Sequence, residues 1–150
     1  TAYAVDCVGA HVAEGEVDRL SGEVKGLRMV AGHDVGKAIH PKMLDAQAEG
    51  GMVQGMGWAL TENLHLVDCR CSSPGFTDYL IPTALDVPKL KTIIVEEPYP
   101  NGPFGAKGVG EPTLISVAGA VANAVSDAIG KELNRLPVSP EYVLETIHER

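Results

Sequence analysis

Phe104-Gly105-Ala106-Lys107-Gly108-Val109-Gly110-Glu111-Pro112 crowds three glycines and two charged side chains into nine positions, and a long apolar run follows from Thr113. Glycine accepts positive φ and lets a second backbone or a ligand approach without a Cβ in the way. Pro112 suits the first position of a helix, where its missing N–H has no intrahelical use. Pre-proline sterics predict an extended Glu111. The stretch therefore reads as a glycine-rich loop that delivers one carboxylate to the start of a buried helix. Helix N-termini favour negative charge, so a carboxylate placed there is suited to accept a proton. A glutamate that merely caps its helix is the alternative, and the loop alone leaves it open.

Working outward, Thr113–Leu133 predicts one long helix, with Leu114, Val117, Val121, Val125 and Ile129 at spacings of three and four. Ala118, Gly119, Ala120 and Ala122 give it small faces for close packing. Ser139-Pro140-Glu141 opens a short last helix with an N-cap serine, a proline at the first position and an acid in the first turn. Upstream, Pro41–Leu60 predicts a helix with glycines at 50, 51, 55 and 57. Each glycine costs about 1 kcal/mol against alanine in a helix interior, so something must come very close to this one. Either a neighbouring helix packs there, or backbone and Gln54 face a bulky polar cofactor. The glycine spacing, and the absence of a preceding strand, rule out a dinucleotide-binding fingerprint.

The remainder is strand-like. Ala2–Val12 reads as strand material, and Val12–Asp18 and Glu23–Ala31 flank Ser21-Gly22 as a hairpin. Lys91–Glu97 is β-branched and bounded by prolines, hence a strand. Thr77–Pro82 reads as extended. Gly32–Pro41 reads as a loop in which Asp34, His33 and His40 are solvated or bonded to backbone, with no further ligands to make a metal site. The fold class is α+β: a hairpin and further strands packed with a glycine-rich helix, a long small-residue-rich helix and a short C-terminal helix. Residues 1–150 are expected to form one domain.

Composition narrows the function. With 12 basic against 20 acidic residues the net charge is −8, which argues against a nucleic-acid-binding role. No run of eighteen apolar residues appears, so no membrane span is expected. Cys7, Cys69 and Cys71 lack a four-ligand spacing and read as small buried hydrophobes in a reduced, cytoplasmic compartment. The first residue is Thr1, and the chain reads as though entered partway through a larger protein.

Three stretches in order complete the reading: Asp34-Val35-Gly36-Lys37-Ala38-Ile39-His40-Pro41, Gly50-Gly51-Met52-Val53-Gln54-Gly55-Met56-Gly57, and Gly105 to Pro112. Together with Tyr79-Leu80-Ile81-Pro82 and the Ser139 helix they resemble the C-terminal part of the molybdenum-binding subunit of the xanthine dehydrogenase and aldehyde oxidoreductase family. The resemblance covers essentially the whole chain and implies a molybdopterin cofactor. It implies hydroxylation of a heterocycle or aldehyde with water as oxygen source, and Glu111 as the base. It places Gln54, Gly55, Lys107, Gly108, Val109 and Gly110 beside the cofactor, with no side chain of this chain ligating the metal. It further implies 2Fe-2S clusters and FAD on other domains or subunits, the rest of the molybdenum subunit as partner, and a small-molecule substrate. A non-catalytic assembly module with the same fold is the competing reading.

Overall fold

The computed structural model describes residues 5–149. Strands β1 (Gly9–Val17) and β2 (Val24–Asp34) form the expected antiparallel hairpin, from Gly9 opposite His33 to Val17 opposite Val24. The turn between them is built on Asp18. Its Oδ1 accepts from the backbone N–H of Leu20 at 2.8 Å, and its carbonyl accepts from Gly22 at 2.7 Å. Gly22 has φ +78, and a Cβ there would stand 2.2 Å from the Pro140 carbonyl oxygen. Only glycine closes this turn against the start of the last helix. The register shifts between Glu14 and Gly15, where Leu27 is the extra residue on β2.

Two differences from the sequence reading concern these strands. The strand begins at Gly9, not near the N-terminus; residues 5–8 are irregular, and the earlier part of that expectation lies outside the described residues. At its other end β2 runs on through Gly32, His33 and Asp34, which were expected in a loop. The reason is a second partner: β5 (Lys89–Val95) pairs parallel along β2 from Arg28 to Asp34, giving a sheet of order β1-β2-β5. Alternation along β2 sends Met29, Ala31 and His33 to the buried face.

Helix α1 (Pro41–Leu60) lies on that face with His40 as N-cap, the imidazole accepting from the Met43 N–H at 3.3 Å. The run after Glu111 is two helices, not one. A single turn, α2 (Pro112–Ile115), is followed by a break at Ser116 (φ −94, ψ 2) and then by α3 (Val117–Ile129). Gly130, left-handed at φ 72, ends α3 short of the expected Leu133. The predicted stripe holds from Val117 on, with Val117, Val121, Val125 and Ile129 all buried, while Leu114 falls on α2 and is only half-buried. Met29 and Ala31 of β2, Met52, Met56 and Ala59 of α1, and Val117 and Val121 of α3 make one apolar cluster. Val125, Ile129, Val138 and Val143 make a second, toward α4 (Pro140–His148), and Leu60 packs against both. Ser139 caps α4 as expected, accepting from the Tyr142 N–H at 3.3 Å.

Pro112–Ile129 has a mean hydropathy of 1.3 over 18 residues, enough by length and composition to cross a membrane and more than the sequence reading allowed. Its valine stripe is nonetheless buried, Val117 and Val121 in the first cluster and Val125 in the second. The middle of the chain also departs from expectation. Thr77 and Asp78 lie in a turn, and a two-residue hairpin, β3 (Leu66–Val67) with β4 (Arg70–Cys71), precedes them. The cysteines are free, but Cys69 and Cys71 are exposed and Cys7 only half-buried, so they are not the buried hydrophobes expected.

Candidate functional site

A cleft of about 810 Å³ opens between α1 and the Gly110–Ile115 segment. One side is a single helical face, with Gln47, Gly50, Gln54 and Trp58 at steps of three and four residues. The other side carries Gly110, Glu111, Leu114 and Ile115. The two walls meet where Gly51 faces Thr113: a Cβ at Gly51 would lie 2.3 Å from Thr113 Oγ1. Thr113 is wholly buried, and its hydroxyl donates to the Gly110 carbonyl at 2.8 Å. One threonine thus fixes both the helix spacing and the last peptide before Glu111.

Glu111 is exposed at the cleft, at the N-cap of α2. It is not extended, as pre-proline sterics predicted, but near helical at φ −73, ψ −35, with its carbonyl accepting from the Leu114 N–H at 3.2 Å. Its side chain makes no capping hydrogen bond, so the alternative of a merely capping glutamate loses its basis. Because α2 is a single turn, the helix dipole behind Glu111 is smaller than a helix to Leu133 would supply.

The four glycines of α1 divide. A Cβ at Gly55 would stand 2.4 Å from Val117 Cβ, and one at Gly57 would stand 2.2 Å from Glu62 Oε1. With Gly51 these are packing glycines. Gly50 has nothing within 4 Å of where its Cβ would be, and neither have Gly108 and Gly110 in the loop. Gln54 and Gly110 line the cleft, whereas Gly55 is buried against α3, and Gly55, Lys107, Gly108 and Val109 are not among the residues that line it.

Lys107 is occupied elsewhere. Its ammonium pairs with Asp34 Oδ2 and donates to the Asp6 carbonyl at 3.1 Å. Asp34 Oδ1 accepts from the Gly36 N–H at 2.9 Å. The Lys107 hydrogen bond, ahead of the Gly36 one, holds the Asp34 carboxyl below its usual range, and the same bond raises the Lys107 ammonium.

Behind α2 lies a network that sequence reasoning missed. His11 Nδ1 is 2.7 Å from Ser116 Oγ, and His11 Nε2 is 3.3 Å from Nε2 of the buried His33. The rings meet edge to face at 4.9 Å. Burial lowers the pKa of both; His33 lowers that of His11 further, and a Thr113 backbone hydrogen bond partly offsets this. Trp58 was equally unforeseen at the cleft, although its place four residues after Gln54 puts it on the same helical face.

Residues 1–88 match the family described as the molybdopterin cofactor-binding domain, and the chain belongs to that family. The xanthine dehydrogenase molybdenum-binding subunit of Escherichia coli O157:H7 is 38% identical over 81% of this chain. The aldehyde oxidoreductase of Megalodesulfovibrio gigas is 37% identical over 97% of it. In each case the match takes up 16% of the relative's length, so the chain spans about one sixth of these proteins. Among solved structures, quinoline 2-oxidoreductase from Pseudomonas putida 86 superposes with a TM-score of 0.90 at 35% identity, over 95% of this chain and 19% of that one.

Proposed function

We propose that this chain forms one wall of the molybdopterin site of a molybdenum hydroxylase, with Glu111 as the base. The observation that carries the reading is the uncapped Glu111 carboxylate, exposed on a cleft that also presents Gln54. The cleft suits the cofactor. Its volume lies in the range of ligand sites, and the space beside Gly50 and Gly110, which line it, is left open by the protein's own packing. Gln54 supplies amide donors and an acceptor, and the Gly110 backbone supplies peptide groups, for the polar edge of a pterin. Gly55 serves the site by bringing α1 and α3 together. When bound, the cofactor supplies the redox chemistry with water as the oxygen source.

The protein's own part is positional. Thr113 holds Gly110, and through it the peptide bearing Glu111. The Glu111 carboxylate accepts a proton at its oxygen from the group that will attack the substrate. Trp58, Leu114 and Ile115 offer apolar surface to a flat or aldehyde-bearing substrate. The relatives named for xanthine, aldehydes and quinoline fit that class. Iron–sulfur clusters and a flavin on other domains or subunits would carry the electrons away, and the remainder of the molybdenum subunit would close the cleft.

The competing reading is a bare assembly module whose glycine-rich helix packs against a partner subunit, but Gly51 and Gly55 pack within this chain, against Thr113 and Val117. It leaves Gly50, Gly108 and Gly110 without a reason. The test is Glu111→Gln in the complete enzyme. Molybdenum and pterin are expected at wild-type stoichiometry with turnover reduced about 10²- to 10⁴-fold, the usual weight of a positioned base. Normal turnover at full cofactor content would overturn the assignment.

A further inference from the structure

The Gly105–Lys107 segment is bound to the end of β2 at several points. The Lys107 N–H donates to the Val35 carbonyl at 3.0 Å, and the Lys37 N–H donates to Gly105 at 2.8 Å. Gly36 and Ala106 form an antiparallel bridge, and a Cβ at Gly36 (φ +66) would stand 2.4 Å from the Gly105 carbonyl oxygen. The Tyr99 N–H donates to the same carbonyl at 2.9 Å. Beneath these backbone bonds lies the Asp34–Lys107 pair, with side chains only 12% and 10% exposed. Between this anchorage and Glu111 stand just Gly108, Val109 and Gly110. Neither glycine has a neighbour within 4 Å of its Cβ direction; the Cys7 thiol donates to the Gly108 carbonyl at 3.4 Å, and the Thr113 hydroxyl fixes Gly110.

We propose that the Asp34–Lys107 ion pair is a positioning clamp, holding the glycine-rich loop to the sheet so that Glu111 stands at the cleft beside Gln54. This rests on the reading of Glu111 as the base. It assigns Lys107 to the loop's support, not to the cofactor contact that the motif suggests. A three-residue tether with two unpacked glycines has no rigidity of its own. Beyond the weak Cys7 thiol contact on Gly108, its orientation is inherited from its two ends, and the upstream end is fixed by a charge pair shielded from most of the solvent. Screening by salt is weak in such a setting, and removing one partner leaves the other charge uncompensated. The neighbouring backbone bonds align the strand-like segment, while the ion pair ties the Lys107 side chain to Asp34 at the end of β2. A misplacement of about 1 Å at a catalytic group costs on the order of 10²-fold in rate, so the clamp acts on turnover without touching substrate.

The experiment uses the complete enzyme with Lys107→Met, Lys107→Arg and Asp34→Asn, beside Glu111→Gln. Lys107→Met and Asp34→Asn are each expected to raise hydrogen exchange at residues 105–111 about tenfold or more, with the α3 amides unchanged. Molybdenum and pterin content should stay normal, kcat should fall about tenfold or more with KM within about twofold, and Lys107→Arg should recover most of the loss. Unchanged exchange at 105–111 in Lys107→Met overturns the clamp, and so does loss of pterin without loop exposure, which would make Lys107 a cofactor contact. Should Lys107→Met not accumulate, Asp34→Asn carries the same expectation with Lys107 in place. Glu111→Gln separates the two ideas: an active Glu111→Gln enzyme removes the base, while the exchange data still decide the clamp.

Discussion

Gly55 of α1 lies against Val117 of α3 so closely that a Cβ on the glycine would stand 2.4 Å from the valine Cβ. The contact sets the distance between α1, which bears Gln54, and α3, which begins beyond the turn that follows Glu111. Gly55→Ala is expected to destabilise the protein by about 1–3 kcal/mol, the range for overpacking a filled core. Gly50→Ala, with nothing within 4 Å of its Cβ direction, should stabilise the helix by about 0.5–1 kcal/mol. Denaturant unfolding of the two variants measures the contrast. Equal effects would mean that the helices are not in contact there.

Gly50→Ala carries a second expectation. The same open space that makes it harmless to the fold lies in the cleft. Pterin content of the purified enzyme should therefore drop although the protein is more stable. Full cofactor content in Gly50→Leu, a larger intrusion, would remove this side of α1 from the site.

His11 and His33 should make stability depend on pH near neutrality. Both have folded-state pKa values below the ordinary 6.5, chiefly through burial. The unfolded chain then binds protons more readily than the folded one, so stability is fully present above about 6.5 and falls as pH drops through the two lowered values. The groups facing the pair are the Ser116 hydroxyl and the Thr113 backbone, with no carboxylate among its hydrogen-bond partners in the described residues. The slope cannot exceed about 1.4 kcal/mol per pH unit for each proton taken up. Thermal melts between pH 7.5 and 5 should show this limb, and His11→Gln should flatten it. An unchanged slope in that variant would place the titration elsewhere. Asp34, depressed by Lys107, adds its own limb only below the ordinary carboxylate range, as pH falls through its lowered value.

Lys131 closes the far end of the molecule. Its ammonium donates to the carbonyls of Thr146 at 2.7 Å and Glu149 at 2.5 Å, at the C-terminus of α4. These are orphan acceptors of a helix end, where a cation is favoured. Lys131→Met should cost about 1 kcal/mol and raise hydrogen exchange in α4 first. Loss confined to another element would show that α4 is held by Val143 and its neighbours alone.

What the sequence disclosed, it disclosed through local rules. Pro112 and Pro140 stand at first helical positions, Gly22 closes the hairpin, and the valine stripe of α3 is buried as its spacing requires. Each depends on a few neighbouring residues. The break at Ser116 does not. No glycine or proline marks it, and the side chain that engages Ser116 belongs to His11, 105 positions away. Strand β2 likewise outran its predicted end because β5, far along the chain, pairs with it. The turn between β3 and β4 places Asp68 and Cys69 at φ 49 and 61, conformations usually given to asparagine and glycine, so its residues concealed it. At the site, Glu111 and Gln54 were legible as motif residues. The Asp34–Lys107 pairing was not, since Asp34 read as an ordinary loop charge and the resemblance set Lys107 beside the cofactor.

The interruption at Ser116 separates two tasks that one continuous rod would have joined. Residues 117–129 are committed to the valine core and can change little. The turn before them, Pro112–Ile115, is its own segment, with Ile115 72% exposed. Substitutions at Leu114 and Ile115 can recontour the cleft without rotating the rod behind it. A fold partitioned in this way can have its cleft reshaped while its foundations stay as they are.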